Sequence, residues 1–330
     1  MKFYDLHCDT ISAIYALRKQ GKQAELCKNS LHLDLEKLKV GGYGLQTFAL
    51  FVDKEAVEDC CLEAQNMVKI FKEELEKNQE YISQVYTYED VEENERNGKL
   101  SALLSLEEGA IFEKSPDDLK WFYDQGARIA TFTWNHENSL GYPNLIGNPA
   151  KERPWSTGNL QGLKKRGIEF LEEMEGLRMI PDVSHLSDGG FWDVAKYAKR
   201  PFLATHSNAR GVAPDAARNL TDDMIRALAE KGGVMGLNFC VSFVREVWSP
   251  GEQGATMEEL IRQMKYIVNI GGEECLGLGS DFDGIGEAPQ MRNGAGMPEM
   301  AEAMEQAHMS YSLIEKICWK NVRRFFRENL

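Results

Sequence analysis

The feature that most limits what this chain can become is an alternation. Short, apolar, β-forming runs are followed repeatedly by longer runs with helical periodicity. Eight strand-like runs stand out: Phe3–Asp9, Tyr43–Val52, Leu100–Leu106, Ala127–Thr133, Leu177–Val183, Pro201–Thr205, Gly233–Phe239 and Cys275–Ser280. Helices are expected at Thr10–Lys19, Asp34–Lys39, Glu55–Asn78, Pro116–Asp124, Leu160–Glu175, Phe191–Ala198, Thr221–Glu230 and Thr256–Asn269, with two closing helices over Pro298–Leu330. Parallel strands cannot be joined by a tight turn; they need a crossover, usually a helix. Eight such units predict a closed (β/α)8 barrel rather than a doubly wound open sheet. The 330 residues contain no Pro/Ser-rich linker or composition break, so one domain over 1–330 is expected. The Glu/Lys-rich stretch Glu55–Glu95 reads as a solvated helix face, with Cys60 and Cys61 as helix packing residues.

A barrel of this kind places its chemistry at the C-terminal ends of the strands. Polar residues gather there. His7 and Asp9 end the first strand, two positions apart, so both project to one face. Glu107 follows the third strand, His185 the fifth, His206 the sixth and Asp281 the eighth. The chain has six histidines; three stand at strand ends, and His136 lies in the loop just after another. His32 and His308 fall on polar or helical segments and read as structural. That loop, Trp134–Thr157, is long and lacks periodicity, as functional loops often do.

Three imidazoles with two or three carboxylates suit two divalent ions, one carboxylate bridging. Such a pair lowers the pKa of a shared water and polarises a carbonyl. Amides, esters and phosphoesters are the matching substrates. No Gly-x-Ser-x-Gly, P-loop or complete Gly-x-Gly-x-x-Gly is present. The formal net charge of −14, without a basic patch, argues against nucleic acid or an anionic membrane as partner. Seven scattered cysteines without a Cys-x-x-Cys pair argue against a disulfide framework or a thiolate zinc site, and for a reducing cytoplasm. No secretory signal, apolar spanning run or lipid-anchor tail is visible.

Motifs spread over nearly the whole chain resemble the membrane dipeptidase (renal dipeptidase) family of zinc peptidases, within the amidohydrolase-like barrels. They are DLHCDT at Asp5–Thr10, LEEGA at Leu106–Ala110, TFTWNHEN at Thr131–Asn138 and DVSHLS at Asp182–Ser187. They continue as THSNAR at Thr205–Arg210, ARN at Ala217–Asn219, VMGLNF at Val234–Phe239 and GSDFDG at Gly279–Gly284. Each is weak alone; their order and spacing carry the likeness. The resemblance implies two zinc ions per chain, with His7 and Asp9 on one, His185 and His206 on the other, and Glu107 bridging. It implies that Asp281 accepts the water proton and passes it to the leaving amine, and that Arg218 pairs with the dipeptide's carboxylate.

Two departures stand out. The family glutamate is usually followed by Gly-Gly; here Glu108-Gly109 follows Glu107. The mammalian enzymes carry a substrate-polarising histidine directly after the strand-four threonine. Here Trp134 follows Thr133, and His136 comes two residues later as the candidate for that oxyanion role. On sequence alone His136 and Arg218 fit a structural role as well as a functional one. The expectation is a cytoplasmic zinc dipeptidase, with a homodimer left open. The alternatives are a lactonase, deacylase or phosphotriesterase on the same metals, or a non-catalytic metal-binding or ligand-binding barrel.

Overall fold

Strand β1 (Phe3–Cys8) pairs in parallel with β2 (Tyr43–Phe51), and β2 with β4 (Leu100–Glu107). The ring continues through β5 (Ala127–Thr131), β6 (Ile180–Asp182), β7 (Leu203–Ala204), β8 (Val234–Leu237) and β9 (Leu276–Leu278). It closes where Asp5 of β1 meets Leu278 of β9. These relations come from a computed structural model that describes residues 1–145, 158–246, 249, 251 and 253–330. The result is the expected eight-stranded parallel (β/α)8 barrel.

The barrel is filled, not hollow. Leu6, Leu45, Leu103, Ile129, Ile180, Leu203 and Val234 form one buried cluster, with Val322, Phe325 and Phe326 of the last helix (Asn321–Asn329). Seven strands thus supply a side chain. The eighth, β9, supplies Gly277, where an added Cβ would stand 2.7 Å from a Val322 methyl. The final helix therefore packs into the N-terminal end of the barrel. A second, larger apolar shell lies between barrel and helices, as amphipathic helices around a parallel sheet require.

Several expected elements are revised. The helix expected over Glu55–Asn78 spans Cys60–Lys77, because Asp59 caps it by accepting from the Leu62 N–H. Beyond it lie a three-residue strand, β3 (Ile82–Gln84), and a helix, Tyr88–Arg96, neither marked from sequence. Strand β3 pairs with the start of β4, on the edge that β5 takes over further along. Three residues are too few to show a period. The Glu55–Glu95 stretch is not wholly solvated either. Glu74 is fully buried, accepting from Arg18 and from the Leu26 N–H (2.7 Å). The expected helix Leu160–Glu175 is Lys165–Leu177. Of the polar loop Trp134–Thr157, the part after Leu145 lies outside the described residues. Among the described residues no helix is long and apolar enough to cross a membrane.

Candidate metal centre

Parallel strands all present their C-terminal ends on one face, and there the ring gathers residues up to 274 positions apart in the chain (His7 and Asp281). The bridge candidate stands in the middle. Glu107 Oε2 lies 3.2 Å from His7 Nε2, while its Oε1 lies 3.1 Å from His185 Nε2 and 3.4 Å from His206 Nε2. Asp9 Oδ2 is 3.5 Å and Asp281 Oδ1 3.9 Å from His7 Nε2. Two groups of potential ligands share His7: His7, Glu107 and His206, and His7, Asp9 and Asp281.

The second ring nitrogens decide what these imidazoles can do. His185 Nδ1 donates to Asn135 Oδ1 at 2.9 Å. Thr205 Oγ1 gives its proton to Asp182, so it accepts from His206 Nδ1 at 2.8 Å. Both histidines therefore carry their proton on Nδ1, and both Nε2 atoms present lone pairs. Those two Nε2 atoms are 2.9 Å apart and face the Glu107 carboxylate. Three acceptors converge with no donor among them. On the other side, buried His7 Nε2 and Asp9 Oδ1 have no hydrogen-bond partner among the described residues. Acceptors in this arrangement fit a cation, and the N/O donor set without sulfur fits zinc or a similar borderline ion.

Protonation follows the same geometry. Burial pushes His185 down to about 3, helped by the charge of Arg218. His206 is held well below the usual imidazole range by burial, then by His7 and Arg218. Burial would also lower His7, but Glu107 and Asp9 hold it well above its ordinary value. Burial alone would raise Glu107; the facing histidines hold it well below the carboxylate range. Asp9 is pushed up to about 8 by burial and by Glu107. The facing carboxylates thus favour a proton on His7 when no cation offsets their charge. A divalent ion would displace that proton, the usual coupling of metal binding to proton release.

The structure places Glu107, and not its neighbour, in the cluster. Glu108 turns away with φ 110° and organises the following loop. It accepts from the N–H groups of Ala110 and Trp134 (2.8 Å each) and from Asn138 Nδ2. The strand-end backbone is unusual elsewhere too: His185 and Asp281 are left-handed, at φ 68° and 61°. Such conformations are costly for side-chain-bearing residues and gather at functional sites. Gly284 completes the turn after Asp281, where a Cβ would meet Asp9 Oδ2 at 2.2 Å and Asp281 Oδ1 at 2.5 Å.

Sequence reasoning missed the residues that hold the candidate ligands in place. Asp5 accepts from Ser280 N–H (2.9 Å), Ser280 Oγ (2.6 Å) and His7 N–H (3.2 Å), tying β1 to the chain that follows β9. Asp182 accepts from Ser184 N–H and Thr205 N–H (2.9 Å each), tying the ends of β6 and β7. Both are fully buried aspartates two or three residues ahead of a histidine, the one signal that could have marked them. Asn135, inside the quoted TFTWNHEN, is the third.

Arg218 is buried beside this cluster. It donates to Ser207 Oγ (2.7 Å) and the His206 carbonyl (2.9 Å), and its Nε has no partner among the described residues. Among the described residues no carboxylate forms an ion pair with it. Burial pushes it down to about 10, with Asp281 opposing. Asp281 Oδ2 accepts from Asn238 Nδ2 at 2.8 Å. Burial pushes its carboxyl up to about 6, His7 opposing and Glu107 adding. His136 is not brought to the cluster. Its Nε2 faces Asp53 Oδ1 at 3.1 Å and its Nδ1 faces Glu55 at 3.4 Å. Trp134, directly after Thr133, lines the site instead, in a cavity of about 680 Å³ that also takes in Asp9, Glu107, His185 and Asp281.

A closed parallel barrel with this cluster at its C-terminal mouth defines a (β/α)8 metal-dependent hydrolase. Residues 1–329 match the membrane dipeptidase family (peptidase family M19), and the chain belongs to it. It is a metallo-dipeptidase, a hydrolase acting on dipeptides. A metallopeptidase of Rhodobacter sphaeroides, solved with a phosphinate mimic of the dipeptide L-Ala-D-Ala, superposes with a TM-score of 0.86. The two are 26% identical and cover 100% of this chain and 99% of that one. An uncharacterised protein in the pqqA 5′ region of Klebsiella pneumoniae is 34% identical over 233 residues, 70% of this chain and 83% of its own. An uncharacterised dipeptidase of Schizosaccharomyces pombe is 28% identical over 90% of this chain and 72% of its own.

Proposed function

We propose that the enzyme is a binuclear zinc dipeptidase with His7, Asp9, Glu107, His185 and His206 as ligands. The observation that carries the count of two is the division of Glu107, one oxygen toward His7 and the other toward His185 and His206. When bound, the ions would lower the pKa of a water and polarise the scissile carbonyl. The remaining work belongs to the chain. Arg218, buried and without a carboxylate partner among the described residues, supports a role in holding the substrate's C-terminal carboxylate. Asp281, with one oxygen held by Asn238, takes the proton released as water adds to the carbonyl carbon. It returns that proton to the amine nitrogen as the C–N bond breaks. A carboxyl near neutrality is suited to such a shuttle. His136 receives no role in this scheme, because both its ring nitrogens face Asp53 and Glu55. All seven cysteines are free, which supports a reducing, cytoplasmic location.

Elemental analysis of active protein tests the centre: two zinc ions per chain are expected, with activity lost to a chelator and restored by zinc. One ion or none in fully active protein would overturn the binuclear reading.

A further inference from the structure

If Arg218 holds the carboxylate end of a dipeptide, the barrel fixes where the other end must go. Arg218 is anchored on His206 and Ser207, just beyond β7. Round the ring, β7 and β2 are four strands apart in either direction, so they face each other across the mouth. A substrate laid over the metal ligands from Arg218 therefore points its first residue at the end of β2. There Phe51, in register with Glu107, packs edge-on against Trp134 at 4.7 Å. Both line the active-site cavity, and so does Asp53, two residues past Phe51.

The charge on this wall is one-sided. Lys19 also lines it but is paired with Glu63 at 2.7 Å, and Glu63 additionally accepts from the Tyr15 hydroxyl. Asp283 is taken by Thr10 and the His32 N–H. Lys54, next to Asp53, turns to the Glu137 carbonyl at 2.6 Å. Asp53 is different. Its Oδ1 accepts from Glu55 N–H (3.0 Å) and faces His136, while Oδ2 has no partner among the described residues. The side chain is 36% exposed. The lining of the same cavity is in good part apolar, including Val57, Met67 and Ile285 as well as Phe51 and Trp134. A cavity with an aromatic and apolar lining that also presents a carboxylate oxygen unpartnered among the described residues suits a long aliphatic stem with a cation at its tip.

We propose that Phe51, Trp134 and Asp53 form the pocket for the side chain of the dipeptide's first residue, and that this pocket selects lysine or arginine. The proposal rests on the dipeptidase reading above and adds the substrate class.

The test uses the zinc-loaded enzyme on dipeptides that share a second residue. Lys-Ala should exceed Nε-acetyl-Lys-Ala in kcat/KM by about tenfold, the size of a partly exposed ion pair plus a cation–π contact. The acetylated substrate keeps the stem and loses the charge. Asp53→Asn should collapse that ratio toward one. Equal wild-type rates on the two substrates, or a ratio untouched by Asp53→Asn, would overturn the proposal while leaving the dipeptidase intact. The substrate comparison stands even if the variant does not fold. No turnover of any dipeptide would instead overturn the parent reading, and this inference with it.

Discussion

The two sides of the metal centre are built alike but from different donors. On the β1/β9 side stand His7, Asp9 and Asp281; on the β6/β7 side stand His185, His206 and Arg218. A buried aspartate ties each pair of strand ends, Asp5 on the first side and Asp182 on the second. The charges diverge. The first side holds two carboxylates pushed up by burial and by Glu107. The second holds two imidazoles kept neutral by burial and by a guanidinium. Identical scaffolding thus carries opposite chemistry: the acidic side can move a proton, and the cationic side can hold an anion. Glu107 joins them.

The largest expected effect comes from breaking that joint. Glu107→Gln should lower kcat/KM by ~10³-fold or more, the several kcal/mol that bound metals contribute. It should weaken both ions together; loss of one ion alone would show that the sides are independent. Glu108→Gln should leave zinc content intact and lower Tm, because it leaves an N–H donor facing an amide.

Asp281→Asn and Arg218→Ala test the division of labour. Asparagine keeps the shape but cannot carry a proton, so kcat should fall ~10²-fold with both ions retained. Arg218→Ala should act mainly through KM, with kcat also reduced if the carboxylate positions the scissile bond. A dipeptide amide should be a poor substrate for the wild type and nearly indifferent to Arg218→Ala. Equal wild-type rates on dipeptide and amide would remove Arg218 from substrate binding. Metal loss in Asp281→Asn would recast that residue as a ligand.

The smallest effect should come from the support of one ligand. Asn135→Ala frees the His185 ring and should weaken metal binding on the β6/β7 side by ~10–100-fold. Chelator titration should then remove zinc in two steps. A single step, unchanged from wild type, would mean that Asn135 does not set His185's orientation.

Much of this centre is legible without coordinates because the signals are local. A β/α alternation specifies parallel strands, and parallel strands put their C-terminal ends on one face, so His7, Glu107, His185, His206 and Asp281 could be read as neighbours. Strand β3 and the helix Tyr88–Arg96 escaped because three residues carry no period and a charged helix resembles a solvated one. His136 was a candidate for the oxyanion role because only its position after a strand was visible; its turn toward Asp53 and Glu55 depends on a neighbouring strand end.

By itself, then, the order of residues determined the barrel, the face that carries the chemistry and the candidate ligands that gather there, since periodicity and strand-end position are properties of short segments. Ring closure decided the rest. Only with β1 against β9 and β2 against β4 does Glu107 present its two oxygens to different histidines. The same closure lets Asn135 and Thr205 fix which nitrogen of His185 and His206 bears the proton. It sets the end of β7, where Arg218 is anchored, across the mouth from the end of β2, and it makes room for Val322 at Gly277. Each of these depends on distances between segments far apart in the chain, and packing sets such distances.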